Sequence, residues 1–133
     1  MSLVQTKREM VVQGVYASFF KGALSPPDRD LLMFQAKVTR KNAFDVMEKI
    51  EKIAQVASDL EEKIRPIALS YPLQRISPVE KAVLMVMLYE ILYEDLPVAV
   101  GIDEAIRLIG TFSHEGSQPF VHAIIDHVCA KKE

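Results

Sequence analysis

The chain has 133 residues, 50% hydrophobic and 26% charged, which is enough for one domain with a substantial core and too apolar for a disordered segment. A formal charge of −2 argues against a strong stand-alone nucleic-acid binder, because phosphate contacts supply most non-specific affinity; any such role needs local basic residues or a partner. The single cysteine, Cys129, rules out an intrachain disulfide framework and favours a reducing, cytoplasmic compartment.

The first helix is predicted from about Leu3 to Lys21, with Val11, Val15 and Phe19 on one stripe, Val12, Tyr16 and Phe20 beside it, and Gly22 as the stop. Lys7 and Arg8 before an apolar run faintly imitate a secretion signal, but Glu9, Gln13 and Lys21 interrupt it. No uncharged apolar run approaches the roughly 20 residues needed to span a bilayer, so no membrane helix is expected. The cluster Ser25-Pro26-Pro27-Asp28 predicts a turn, followed by a second helix through Leu31, Leu32, Phe34, Gln35 and Val38. From about Asn42, Phe44, Met47, Ile50, Ile53, Ala54 and Ala57 keep helical spacing, while Glu48, Lys49, Glu51 and Lys52 form a solvated face of mixed sign. Ser58 or Asp59 is expected to cap a further short helix reaching Leu69, bent or divided at Pro66, with Tyr71-Pro72 as the connection onward.

The strongest start signal in the chain comes next. In SPVEKAVLMVMLYEILY, Ser77 to Tyr93, Ser77 is placed as N-cap, Pro78 suits the first helical position, and Glu80 stands where a capping box needs its reciprocal acceptor. Ala82 to Leu88 carry no charge, which predicts a core helix with other helices packed around it. The segment Glu94 to Pro97 breaks the chain, and a helix from about Pro97 to Gly110 is expected to turn Val100, Ala105, Ile106 and Ile109 inward, with Gly110 as its stop. Ser113 to Gly116 reads as a loop. Ser117 is the expected N-cap of a last helix through Phe120, Val121, Ile124, Ile125 and Val128, with Lys131 and Lys132 at its end complementing the dipole. About seven helices with short connections make one all-α domain over residues 1–133, and the break near Pro72 predicts two small helical subdomains within it.

Signals for catalysis are poor. There is no phosphate-binding glycine loop, and the five glycines are scattered at expected helix ends and turns. His122 and Asp126 stand four apart on one helical face near His127 and Cys129, but a metal site needs more ligands, so a surface pair is expected and Cys129 reads as an inert, semi-buried thiol. Glu90, Glu94, Asp95, Asp103 and Glu104 have no evident base partner, and acids near a helix start are explained by its dipole. No catalytic residue, metal or cofactor is expected.

The run from Arg75 to Asp126 resembles the C-terminal half of NusB-type transcription antitermination factors. The resemblance lies in ordered short motifs: V-E-K-A at Val79 to Ala82, L-Y-E at Leu88 to Glu90, I-D-E-A-I at Ile102 to Ile106, and S-x-x-F-V at Ser117 to Val121. Near the N-terminus, Arg8, Glu9, Gln13 and Tyr16 are similar to the family's R-E-x-x-x-Q-x-x-Y helix, while the region between aligns only by helix pattern. The resemblance implies a NusB-like fold of two three-helix bundles joined around a long helix. It also implies a non-enzymatic adaptor that binds boxA-type single-stranded RNA with the NusE-type small-subunit ribosomal protein, on the transcription elongation complex.

Carried over position by position, Arg8 and Tyr16 on the first helix and Phe120 on the last become candidate RNA contacts, and Glu80 a candidate contact to the protein partner. Lys7 is an adjacent cation rather than a matched residue. Single-stranded RNA suits such a set, because splayed bases stack on aromatic rings while cations hold phosphates. Tyr16 and Phe120 equally suit a core, and the capping box alone would explain Glu80.

The departures are specific. Val4, Gln5 and Thr6 stand where many members have basic residues; Gly116 replaces a common acidic residue, Pro119 a common basic one and His122 a common asparagine. RNA binding is therefore expected to depend on the partner. The rival readings are a helical protein–protein scaffold without RNA contact and a stand-alone relative of the RNA-binding domain of rRNA cytosine methyltransferases, for whose catalytic domain a chain ending at Glu133 leaves no room.

Overall fold

The computed structural model describes residues 2–21, 38–70, 76–113 and 115–130. Among the described residues the regular structure is helical: α1 (Leu3–Lys21), α2 (Arg40–Gln55), α3 (Ala57–Ala68), α4 (Pro78–Tyr93), α5 (Val98–Phe112), a 3-10 turn (Glu115–Ser117) and α6 (Gln118–Val128). The expected second helix through Leu31 to Gln35 falls outside the described residues, as do the Gly22 stop, the Ser25–Asp28 turn, the Tyr71-Pro72 connection and the lysines at 131 and 132. Val38, the last residue assigned to that helix, is not helical.

The chain forms two compact units, residues 1–55 and 56–133. The division falls at the single non-helical residue Val56 rather than near Pro72. Helix α3 belongs to the second unit because Leu60 and Ile64 are buried on the face that packs against α4 and α6.

In the first unit, α1 packs against α2. Its start is fixed by a reciprocal bond that the helix pattern alone did not show: Gln5 N donates to Ser2 Oγ at 3.1 Å, and Ser2 N donates to Gln5 Oε1 at 3.3 Å. Met10, Val11, Val12 and Val15 are buried, whereas Tyr16 and Phe20 are exposed. Helix α2 starts earlier than its apolar spacing suggested, with Thr39 Oγ1 accepting from Asn42 N at 3.2 Å. Ala43, Val46, Met47, Ile50 and Ile53 form its buried face, and Phe44, expected inside, is exposed one position off that stripe.

The second unit is built on α4. Every residue from Ala82 to Ile91 is buried, so the helix meets protein on all sides, as its unbroken apolar run requires. It packs against α3, α5 and α6. Its end is set by Asp95, whose φ of 56° lies in the left-handed region that aspartate tolerates, and by Leu96 N donating to Glu90 O at 3.0 Å.

Three local expectations are corrected here. Ser58 and Asp59 lie within α3, whose N-cap position is Val56 and has no side-chain bond; Pro66 does not divide the helix but sits in its last turn, where it removes only one bond before the end at Ala68. Gly110 does not stop α5, which continues to Phe112, and Val100 is exposed while Val98, Gly101, Glu104 and Leu108 join Ala105 and Ile109 inside. Ser117 does not cap α6: the 3-10 turn runs straight into the helix, so Ser117 has helical φ and ψ of −81° and −15°, where an N-cap needs an extended backbone.

Candidate nucleic-acid interface

Helix α1 carries three of the four candidate RNA contacts. Nine residues separate Lys7 from Tyr16, which at 3.6 residues per turn places them roughly 180° apart around the helix, while Arg8 and Tyr16 are about 80° apart. The structure follows that geometry. Lys7 points to α2, where its Nζ lies 3.5 Å from Asp45 Oδ2. Arg8 is half-buried. Tyr16 is 39% exposed, and its ring meets the edge of Phe20, itself 66% exposed, at 5.2 Å between centroids and 62° between planes.

Two residues beside these candidates were not read as contacts in the sequence. Phe20 follows Tyr16 at helical i,i+4 spacing, so a pair of rings was legible had both been taken as surface. Asp45 is 38 positions from Lys7, and no local pattern announces that contact.

The remaining candidates lie in the second unit. Phe120 is 5% exposed, with Val121, Ile124 and Ile125 buried beside it on α6. Of its two sequence readings the structure takes the core one, because a ring so enclosed has no free face on which a base could stack. The same helix is oriented by Gln118, whose Nε2 donates to the Ile106 carbonyl of α5 at 2.9 Å.

Glu80 is 6% exposed, and its carboxylate is engaged in the capping box: Ser77 N donates to Oε1 at 2.8 Å, while Glu80 N donates to Ser77 Oγ at 3.1 Å. Beside this box lies a groove of about 350 Å³ floored by Ile64, Ala68, Leu69 and Ile76. Lys81 and Glu61 form an ion pair at its margin, and Leu69 is largely exposed.

The acidic residues considered for catalysis are occupied or dispersed. Glu104 is buried and receives two bonds from Arg107, Nε at 2.7 Å and Nη2 at 3.1 Å, so a partner on its own helix, rather than the dipole, accounts for it. Glu94, Asp95 and Asp103 are exposed, as are His122 and Asp126, whereas Cys129 is fully rather than partly buried. Among the described residues no group of three or more His, Cys, Asp or Glu side chains is placed to hold a metal ion, and no helix is long and apolar enough to cross a membrane.

Comparison with known proteins matches residues 5–130 to the model of the NusB family. A transcription antitermination protein NusB from Methylacidiphilum infernorum is 34% identical over 124 residues, spanning 91% of this chain and 86% of the relative. One from Shewanella loihica is 31% identical over 126 residues, spanning 94% and 93%. A third, from Shewanella amazonensis, is 40% identical over a shorter stretch of 79 residues, 59% of this chain and 58% of the relative.

Proposed function

The chain belongs to the NusB family of transcription antitermination proteins, a non-enzymatic group, and from that premise we propose that it binds boxA-type single-stranded RNA jointly with the NusE-type small-subunit ribosomal protein, as a cytoplasmic adaptor on the transcription elongation complex. The observation that carries the RNA part is the exposed Tyr16 ring on the helix that also bears Arg8, about 80° round from it. Stacking on an aromatic face tolerates any base, and a cation nearby holds the backbone. Phe20 extends the aromatic surface.

The partner part is supported by the groove beside Ser77 and Glu80. Its apolar floor and the Glu61–Lys81 pair at its margin suit a protein surface of mixed character. Glu80 serves that surface by fixing the start of α4, which positions Ile76 and Lys81 on either side of the box. A protein scaffold without RNA contact is the second reading, favoured by this groove and by the burial of Phe120.

A net charge of −2 disfavours an anionic strand overall and Lys7 is shared with Asp45, so a basic partner should supply the cations for the phosphates. Titration of a labelled boxA-type strand at several salt concentrations, with and without the ribosomal protein, tests the proposal. The partner is expected to tighten binding about tenfold or more. Arg8→Ala should weaken the complex and reduce its salt slope by about one, and Tyr16→Ala should weaken it with the slope kept. A complex that binds RNA no better than the ribosomal protein alone overturns the adaptor reading in favour of the scaffold.

A further inference from the structure

We infer that Gln13 gives this protein a preference among RNA sequences, by hydrogen-bonding the edge of an adenine stacked on Tyr16. The inference rests on the reading of α1 as an RNA-facing helix and assigns the residue of that face that tells one base from another. Successive residues of a helix stand about 100° apart, which brings Glu9, Gln13, Tyr16 and Phe20 into one arc about 60° wide. Burial follows the arc: Gln13, Tyr16 and Phe20 are exposed and Glu9 is half-buried, whereas Met10, Val11, Val12 and Val15 on the remaining sides are enclosed. The arc holds no lysine or arginine, and the Glu9 carboxylate disfavours a phosphate there. Two rings and an amide without a cation suit bases rather than the strand's backbone, which is left to Arg8 on the flank and to the basic partner.

Stacking on Tyr16 and Phe20 is indifferent to base identity, because every base has a π-face, so the rings hold a base without choosing it. Gln13 supplies the choice. It precedes Tyr16 by three residues, which sets the two Cβ atoms roughly 5–6 Å apart, and side chains on a helix lean toward its N-terminus, so the tyrosine tilts over the turn that bears Gln13. Phe20 braces the ring from the following turn, at 5.2 Å between centroids. A base lying on the tyrosine then has its edge within reach of the Gln13 side chain. That side-chain amide makes no hydrogen bond to any described residue, in contrast to Gln5, which is committed to the Ser2 cap, and Gln118, which ties α6 to α5. A glutamine amide presents a donor and an acceptor side by side, the pattern that pairs with N6 and N7 of adenine in two hydrogen bonds.

The test uses the full chain with the ribosomal protein, a boxA-type strand, and strands in which each adenine in turn is replaced by purine, which lacks the N6 amino group, or by 7-deazaadenine, which lacks N7. At one position both replacements should weaken binding to the wild-type complex about five- to tenfold, the low end for a bidentate amide–adenine pair because this one meets water. Gln13→Met, similar in length and compatible with a helix, should weaken binding of the unmodified strand by a similar factor and abolish the cost of both replacements at that position. The salt slope should stay unchanged, because no charge is lost. Melting curves check that the variant is folded, and titration with the ribosomal protein alone checks that complex formation is intact. A strand with no such adenine, no loss on Gln13→Met, a loss that leaves the adenine discriminated as before, or a weaker complex with the ribosomal protein in the absence of RNA overturns the inference while leaving the adaptor reading standing. A wild-type complex that binds no RNA overturns both.

Discussion

Ser77 and Glu80 bind each other reciprocally: Ser77 Oγ accepts the Glu80 amide at 3.1 Å, and Glu80 Oε1 accepts the Ser77 amide at 2.8 Å. The helix they open is the one most completely buried in the second unit, so its starting residue fixes the register of the apolar run behind it. Ser77→Ala should cost about 1 kcal/mol, the usual worth of an N-cap, read from the denaturant midpoint. Glu80→Ala should cost roughly 1–3 kcal/mol, because it leaves a part-buried amide without its acceptor. No shift for either substitution would mean that packing alone sets where α4 begins.

Leu84 and Leu88 lie one turn apart on α4, and neither has any solvent exposure. Leu84→Ala and Leu88→Ala should each lower stability by roughly 2–5 kcal/mol, the sum of lost transfer energy and the cavity left in a close-packed site. Chemical denaturation decides it. A loss below about 1 kcal/mol at both would put this face against a partner rather than a core.

At Gly101, α5 lies against the Ile91 side chain of α4. A Cβ there would stand 2.5 Å from Cδ1 and 2.8 Å from Cγ1 of Ile91, a side chain with no exposure and little space to yield. Gly101→Ala should therefore destabilise by roughly 1–3 kcal/mol through overpacking, although alanine is the better helix former. Ile91→Val removes the Cδ1 methyl, so the double variant should be less destabilised than the sum of the two single ones. Additive losses would show that the clash is relieved elsewhere.

Tyr16 and Phe120, alike in the sequence, should separate in the laboratory. Phe120→Ala should cost about 3–5 kcal/mol of stability, as large aromatic truncations in cores do. Tyr16→Ala should leave stability within about 1 kcal/mol, since an exposed ring loses little. Its loss should appear instead in RNA affinity, by about 1–3 kcal/mol if a base stacks there. Thermal melts paired with RNA titration give both axes, and equal effects on the two axes for both residues would remove the distinction.

The family and the all-helical class were legible in the residues themselves, because the signals that carry them are local. The Ser77-Pro78-x-Glu80 start, the uncharged run from Ala82 to Leu88 and the i,i+3/i+4 spacing in α1 and α6 act within one or two turns of chain. Where local signals competed, tertiary contact decided. Gly110 invites a helix stop, yet α5 continues through it to Phe112, with α6 tied to its last turns by the Gln118 bond to Ile106. Phe44 and Val100 suit an interior by composition but fall on faces that no packed neighbour covers enough to bury. The same reason divides the candidate site. Helical spacing allows Tyr16 and Phe120 to be core or surface alike, and only the helices around each ring put one in solvent and enclose the other. Lys7 reads as a free cation until α2 brings Asp45, 38 positions away in sequence, to within 3.5 Å. Caps and periodicity are properties of a few neighbouring residues, and the chain states them; burial and charge pairing are properties of what folds alongside, and only the folded units hold them.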